Sequence, residues 1–168
     1  MRPRVWSPAS VRGGTLRITY RVLAYLLAAE VMVQAAAIAY AIFGLSKHID
    51  DGAIVDKASQ ESGATFEGVL GFIVHGINGE MVIPLLALIL LIVSFFAKVR
   101  GGVMFAGVIL GLIVVQVLLG IFGHELPALG ALHGLNALAI FVMAFLAGQR
   151  ARATSMPDPA VTAERSSV

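Results

Sequence analysis

The chain has 168 residues, of which 58% are hydrophobic and 13% are charged, and its formal net charge is +2. Soluble domains carry about 25% charged residues, so this composition excludes an ordinary soluble domain and gives no sign of a nucleic-acid partner. The absence of cysteine from the sequence excludes disulfides, iron–sulfur clusters, covalent c-type haem attachment and thiol chemistry. The composition therefore predicts an integral membrane protein.

Four apolar segments follow one another at residues 20–45, 68–97, 102–123 and 126–148. Each reaches the roughly 20 residues that a helix needs to cross a bilayer, and none alternates with the period of a barrel strand. The first segment is too long, and begins too far into the chain, for a signal peptide. Pro84 predicts a kink in the second segment. We therefore predict an all-α, four-helix transmembrane bundle over residues 20–148, between a basic N-terminal segment, 1–19, and a disordered tail, 149–168.

Basic residues indicate how this bundle is oriented. Ten of the twelve lie before or at the start of the first segment, between the second and third, or after the fourth: Arg2, Arg4, Arg12, Arg17, Arg21, Lys98, Arg100, Arg150, Arg152 and Arg165. Because cytoplasmic loops are enriched in lysine and arginine, both termini are predicted to be cytoplasmic. The loop 46–67 is acidic and would lie outside. The chain is thus expected to be a multi-pass protein of a bacterial plasma membrane.

Two nearly identical stretches, VHGIN at 74–78 and LHGLN at 132–136, place a histidine early in the second and fourth segments. Both segments run from outside to inside in this topology, so His75 and His133 should lie at similar depth. Ionisable residues within a span are costly and indicate function by default. The sequence favours one haem b per chain, with its iron bound by both histidines. The alternative is that each histidine makes a polar contact between helices.

The residues beside the two histidines fit either interpretation. Gly76 and Gly134 would let a flat macrocycle approach the backbone, or would serve ordinary small-residue packing. Asn78 and Asn136 lie one turn further along each helix, and Gln116 lies near the level of the histidines. We predict that these five residues surround the cofactor, with interhelical hydrogen bonding by the amides as the alternative.

Other ionisable residues suggest weaker sites. Glu30 and Glu80 are the only acids within the predicted spans, so a proton path is conceivable. His48 and His124 lie near acidic residues at the outer side, where copper or zinc could bind. They share no ligand spacing typical of a metal site, so a solvated acidic loop is the favoured interpretation there.

The run QVLLGIFGHELPALGALHGLNALAIFVMAFLAG, residues 116–148, resembles the second hairpin of a four-helix half of the haem A synthase family. The matching elements are Gln116, Leu119, Gly120, Leu126, Pro127 and His133. The resemblance implies that His75 and His133 are axial haem ligands facing each other near the outer surface. The layout is also similar to small four-helix membrane proteins of bacteria that have the same histidine pattern.

Two departures from that family bear on activity. The synthases have two such bundles and this chain has one. They also place a glutamate three residues before the histidine of the second helix, where this chain has Phe72. Oxidation of a haem methyl group is therefore doubtful, and enzymatic activity is not expected.

All four histidines lie in the predicted outer half, so one axial pair is available and the chain alone cannot pass electrons across the membrane. We expect a cytochrome b-like protein that serves electron transfer, redox sensing or haem handling. Its partners would be the lipid bilayer and a quinone or membrane redox protein, and a homo-oligomer is compatible with the sequence. The alternatives are a non-catalytic membrane subunit or scaffold, and an outward-facing metal or solute transporter.

Overall fold

The computed structural model describes residues 8–63, 65–123 and 125–153, and these ranges contain helices and no strand. The helices are α1 (Pro8–Asp50), α2 (Lys57–Glu61), α3 (Val69–Ile77), α4 (Ile83–Ser94), α5 (Gly102–Gly123) and α6 (Pro127–Ala153), and a π-helical turn, Asn78–Val82, joins α3 to α4. Four stretches are long and apolar enough to cross a membrane: Gly14–Asp50, Val69–Ser94, Gly102–Gly123 and Pro127–Arg152. The prediction of four long apolar helices is confirmed.

The first and last helices are longer than the hydropathy pattern indicates. α1 begins at Pro8, before the predicted start at 20, and α6 continues to Ala153, past the predicted end at 148. Arginine side chains at these ends can extend along the helix and keep their charged groups in water, so a charged residue need not end a helix. Residues 154–168, which make up most of the predicted disordered tail, lie outside the described residues.

Packing between helices sets their order around the bundle as α1, α3–α4, α5 and α6. The α3–α4 unit and α6 are therefore diagonally opposite. Short connections at 95–101 and 124–126 make successive long helices antiparallel. We call the end of the bundle that carries residues 51–68 and 124–126 the loop end, and the opposite end the terminal end.

Close packing is concentrated in the terminal half of the bundle. Its core consists of buried apolar side chains from all four long helices: Tyr20, Ala24, Leu27, Ala28, Ile83, Ala87, Leu90, Ala97, Val99, Phe105, Ala106, Ile109, Ile113, Ile140, Ala144, Ala147 and Ala151. In contrast, the described stretches 29–40, 114–123 and 127–139 contain no buried residue. One half of the bundle is thus a packed scaffold, whereas the described buried residues of the loop half are confined to the contact between α1 and the start of α3: Ala41, Gly44, Gly68 and Gly71.

Glycines bring α3 against α1 in the loop half. A Cβ atom at Gly71 would overlap the carbonyl oxygen of Ala37, and one at Gly44 would overlap the carbonyl oxygen of Glu67. Gly68, which precedes α3, has φ of +104°, a left-handed conformation that glycine adopts without strain. The two helices can approach this closely because these positions carry no side chain.

The π turn ends at Val82, two residues before Pro84. Pro84 has no N–H and its ring would collide with the carbonyl group four residues earlier in a regular α-helix. The chain avoids this by widening one turn, in which the Ile83 N–H donates to the Asn78 carbonyl group. The predicted effect of Pro84 therefore takes the form of a π turn, a feature that is frequent at functional sites.

A short helix in the loop, α2, was not predicted from the hydropathy pattern. The Ser59 N–H donates to Asp56 Oδ1 at 2.8 Å, and the Asp56 N–H donates to Ser59 Oγ at 2.9 Å, which is a reciprocal cap. The backbone N–H of Ser59 stabilises the carboxylate and so lowers the pKa of Asp56.

We expect Gly71→Ala to lower the free energy of unfolding by about 1–3 kcal/mol, the range measured for overpacked cores, because the new methyl group would displace α3 from α1. Thermal unfolding in detergent measures the change. Gly107→Ala is the matched control, since a Cβ atom there meets no atom within 4 Å. Equal stability of both variants would contradict the close α1–α3 packing.

Candidate functional site

A cavity of about 530 Å³ occupies the loop half of the bundle, and all four long helices line it. Protein interiors contain few voids larger than a water molecule, whereas ligand sites measure about 300–1,000 Å³. The cavity is therefore of the size of a ligand site, and it lies where the core packing ends.

The two histidines face each other in this cavity. His75 is the seventh residue of α3 and His133 the seventh of α6, and their ring centroids are 6.0 Å apart with the ring planes inclined at 54°. The sequence predicts that the two histidines lie at similar depth, and in the structure their rings lie close together. Because α3 and α6 are diagonally opposite, the two imidazole rings approach each other across the bundle.

The ring of His133 is held in one orientation by α5. Its Nδ1 atom lies 3.0 Å from the carbonyl oxygen of Gln116, to which it donates, so the proton is on Nδ1 and Nε2 keeps its lone pair. Gly120 lies behind the ring, where a Cβ atom would be 3.3 Å from Cε1. A histidine oriented by its other nitrogen in this way is the usual arrangement of a metal ligand.

His75 has the equivalent contact on α1, with a second group beside it. Its Nδ1 atom lies 3.2 Å from the carbonyl oxygen of Gln34. When the Gln34 amide oxygen accepts from the Gly79 N–H at 2.9 Å and from Asn78 Nδ2 at 3.1 Å, the amide nitrogen lies 2.6 Å from the same Nδ1. Nδ1 then accepts a hydrogen bond and Nε2 carries the proton, whereas donation to the Gln34 carbonyl group leaves Nε2 free. The tautomer of His75 is thus tied to the orientation of Gln34.

The two asparagines connect helices beside the cavity. Asn136 Nδ2 donates to Gln116 Oε1 at 2.7 Å and to the carbonyl oxygen of Leu112 at 2.9 Å. Asn78 Nδ2 donates to Glu30 Oε2 at 2.7 Å. Neither asparagine is among the residues that line the cavity. Their described contacts are the interhelical hydrogen bonds that the sequence allowed as the alternative role.

Glycines form much of the cavity wall. Gly76 and Gly134 both line it, and a Cβ atom at either position would meet no atom within 4 Å. Gly123 and Gly130 approach each other at the loop end, where a Cβ atom on Gly123 would lie 3.3 Å from the Gly130 N atom. The space beside each histidine is therefore open, and a flat group could lie against the backbone there.

The wall furthest from the loop end is apolar, with one acid beside it. Ile83, Ile113 and Ile140 belong to both the core and the cavity lining, so the packed scaffold closes the cavity on this side. Glu80 also lines the cavity, from the π turn. The remaining polar side chains of the lining are the two histidines and the two glutamines described above.

Gln34 is a site residue that the sequence did not single out. A signal for Gln34 was present, since α1 and α5 each contain one glutamine in an otherwise apolar stretch. Each glutamine contacts the histidine and the asparagine of the helix that follows it. Pairing the glutamines with the repeated HGIN and HGLN would have found Gln34.

The outer metal site considered above is not assembled by the described part of the chain. His48 stacks on Phe66, with ring centroids 5.4 Å apart, and His124 lies outside the described residues. No group of three or more histidine, cysteine, aspartate or glutamate side chains that could hold a metal ion occurs in the described ranges.

No protein-family model, curated protein or solved structure matches the chain. What the cavity could hold therefore follows from its own chemistry. It offers two imidazoles that face each other, each tied through Nδ1 to a neighbouring helix, between walls of glycine and isoleucine.

Proposed function

We propose that the chain binds one b-type haem, with His75 and His133 as its two axial ligands. The observation that carries this proposal is the separation of the imidazole rings. Two imidazoles bound to opposite sides of one metal ion, with bonds of about 2.0–2.1 Å, have ring centres about 6 Å apart. The observed centroid distance of 6.0 Å is close to that separation.

The surroundings of the pair fit a planar, apolar group. Gly76 and Gly134 leave open space next to each ring, and the isoleucines at the closed side offer the apolar contacts that a porphyrin edge needs. Of these isoleucines, Ile83 belongs to the same span as His75, Val69–Ser94. It lies about 12 Å further along the axis at a rise of about 1.5 Å per residue. The cavity thus extends well beyond the rings in the direction of the terminal end.

A bound haem would supply one-electron redox chemistry, and the residues of this chain determine its setting. For Nε2 of both imidazoles to bind iron, Nδ1 of His75 must donate to the Gln34 carbonyl group as Nδ1 of His133 donates to that of Gln116. These two contacts would then orient the imidazoles and increase their basicity as ligands. The isoleucines exclude water from the closed side. One histidine pair permits one haem, so the protein would serve electron transfer, redox sensing or haem handling at one surface, with a quinone or a membrane redox protein as the partner.

The non-catalytic scaffold is the second candidate, and the interhelical hydrogen bonds favour it. Asn78–Glu30 and Asn136–Gln116 join neighbouring helices without any cofactor. Polar contacts of this kind stabilise membrane bundles by about 0.6 kcal/mol on average. The two candidates differ in the role of the histidine Nε2 atoms. In a haem protein these atoms would bind the iron, whereas in a scaffold they would bind no metal.

The proposal includes an orientation in the membrane. The basic residues at both termini and between α4 and α5 favour the terminal end on the cytoplasmic side. The cavity in the loop half would then open toward the outer surface of a bacterial plasma membrane.

Protein purified from haem-supplied cells is expected to show a Soret band and sharp reduced α and β bands. His75→Ala and His133→Ala should each abolish this six-coordinate spectrum, because either change removes one axial bond. His48→Ala is the control and should leave the spectrum unchanged, since His48 lies on Phe66 outside the cavity. Colourless wild-type protein that is folded by circular dichroism would exclude the proposal and favour the scaffold.

Gly76→Leu and Gly134→Leu are expected to weaken haem binding by about tenfold or more, because the new side chains would occupy the open space beside the rings and overpacking costs about 1–3 kcal/mol. Haem titration followed by the Soret band measures the affinity. Gly111→Leu is the matched control, since a Cβ atom there also meets no atom within 4 Å but the residue does not line the cavity. Equal affinity in all three variants would place the haem elsewhere.

Reporter fusions test the orientation. A cytoplasm-active reporter should be active when fused after residue 153 and inactive when inserted in the loop near Gly63, with the opposite result for a periplasm-active reporter. The reverse pattern would place the cavity on the cytoplasmic side and contradict the positive-inside assignment.

A further inference from the structure

The π turn places one carboxyl group in the cavity wall without a partner. Glu80 lines the cavity and makes no hydrogen bond or ion pair with any described residue. The other acid deep within a span, Glu30, accepts a hydrogen bond from Asn78. An ionisable side chain within a membrane span usually marks a functional path when it faces a cavity. Of the two acids, Glu80 is the one to which the proposed haem geometry assigns no role.

Glu80 lies close to the pair of histidines along the helix. It is five residues after His75, a rise of about 7.5 Å at about 1.5 Å per residue, on the side toward the isoleucines. The position five residues after His133 is Leu138, which also lines the cavity. The acid is therefore present on one side of the site only, and Glu80 is exposed rather than buried.

Few other titratable groups surround it. α4 and α5 contain none, α3 contributes His75, and α6 contributes His133 to the lining. On α1, Glu30 bonds to Asn78, while Tyr25 packs on Phe145 with ring centroids 5.8 Å apart. Since both imidazoles would be engaged with the metal, Glu80 is the remaining ionisable side chain of the cavity lining.

We propose that Glu80 couples reduction of the site to the uptake of one proton. This inference rests on the proposed haem function. Adding one electron to a group in the cavity adds one negative charge, which a nearby carboxylate opposes. If Glu80 binds one proton as a one-electron donor reduces the site, the net charge of the cavity is unchanged. The neutral carboxyl group releases that proton when the electron leaves.

The test is a redox titration of the haem-loaded protein in detergent between pH 5.5 and 8.5, followed by the α band. In wild type the reduction equilibrium constant should fall up to tenfold for each unit of rising pH, which is about 59 mV for one electron. Glu80→Gln should remove this dependence, and Glu80→Asp should retain it because the carboxyl group remains. Glu30→Gln is the matched control, since it removes the other intramembrane acid, and should behave as wild type.

Infrared difference spectra of reduced minus oxidised protein provide a second measurement that does not require the Glu80→Gln variant to fold. A carboxylic acid band should appear on reduction of wild type and persist in Glu30→Gln. A coloured wild-type protein with a pH-independent potential, or a dependence that Glu80→Gln retains, would overturn this inference alone. Failure to bind haem would instead overturn the proposed function on which it rests.

Discussion

The loop half of the bundle depends on two equivalent contacts, in which Nδ1 of a histidine meets a backbone carbonyl group of the neighbouring helix. His75 makes this contact with Gln34 on α1, and His133 makes it with Gln116 on α5. Each contact joins the two helices of one hairpin and aims the far edge of the imidazole at the other hairpin. The cavity between the hairpins is the space that remains when both rings are fixed in this way.

This arrangement is possible because stability comes from elsewhere in the molecule. Tyr20 is fully buried and its hydroxyl donates to the Gly102 carbonyl group at 3.1 Å, and Arg150 lies 4.6 Å from the ring centre of Phe105. These contacts and the apolar core lie in the terminal half. Because interiors are packed at nearly crystalline density, a packed half can support a half that leaves space for a ligand. Ile83, Ile113 and Ile140 lie where the two halves meet, and they belong both to the core and to the cavity lining.

The two hairpins resemble each other around the histidines and differ beyond them. A glutamine, a histidine and an asparagine recur in each, with corresponding contacts. The first hairpin alone has a proline, the π turn that the proline requires, and an acid in that turn. The same backbone change that relieves the clash of Pro84 places Glu80 in the cavity wall. A nearly symmetric pair of histidines is thus combined with an asymmetric electrostatic environment, which is the basis of the proton coupling proposed for Glu80.

Composition and periodicity were enough to predict the class of fold and the matching positions of the two histidines along their helices. Apolar segments of about 20 residues must become helices in lipid because the backbone has no other partner there, and equal positions in two parallel helices give equal depth. The sequence also indicated that Gly76, Gly134 and Gln116 lie beside the histidines. It left open whether the asparagines would surround a cofactor or bond to neighbouring helices. It did not indicate that Gln34 would meet His75 or that Glu80 would reach the cavity. These facts depend on how each helix is rotated about its axis and on the extra residue in the π turn. Side-chain packing between helices sets both, and hydropathy carries no information about either.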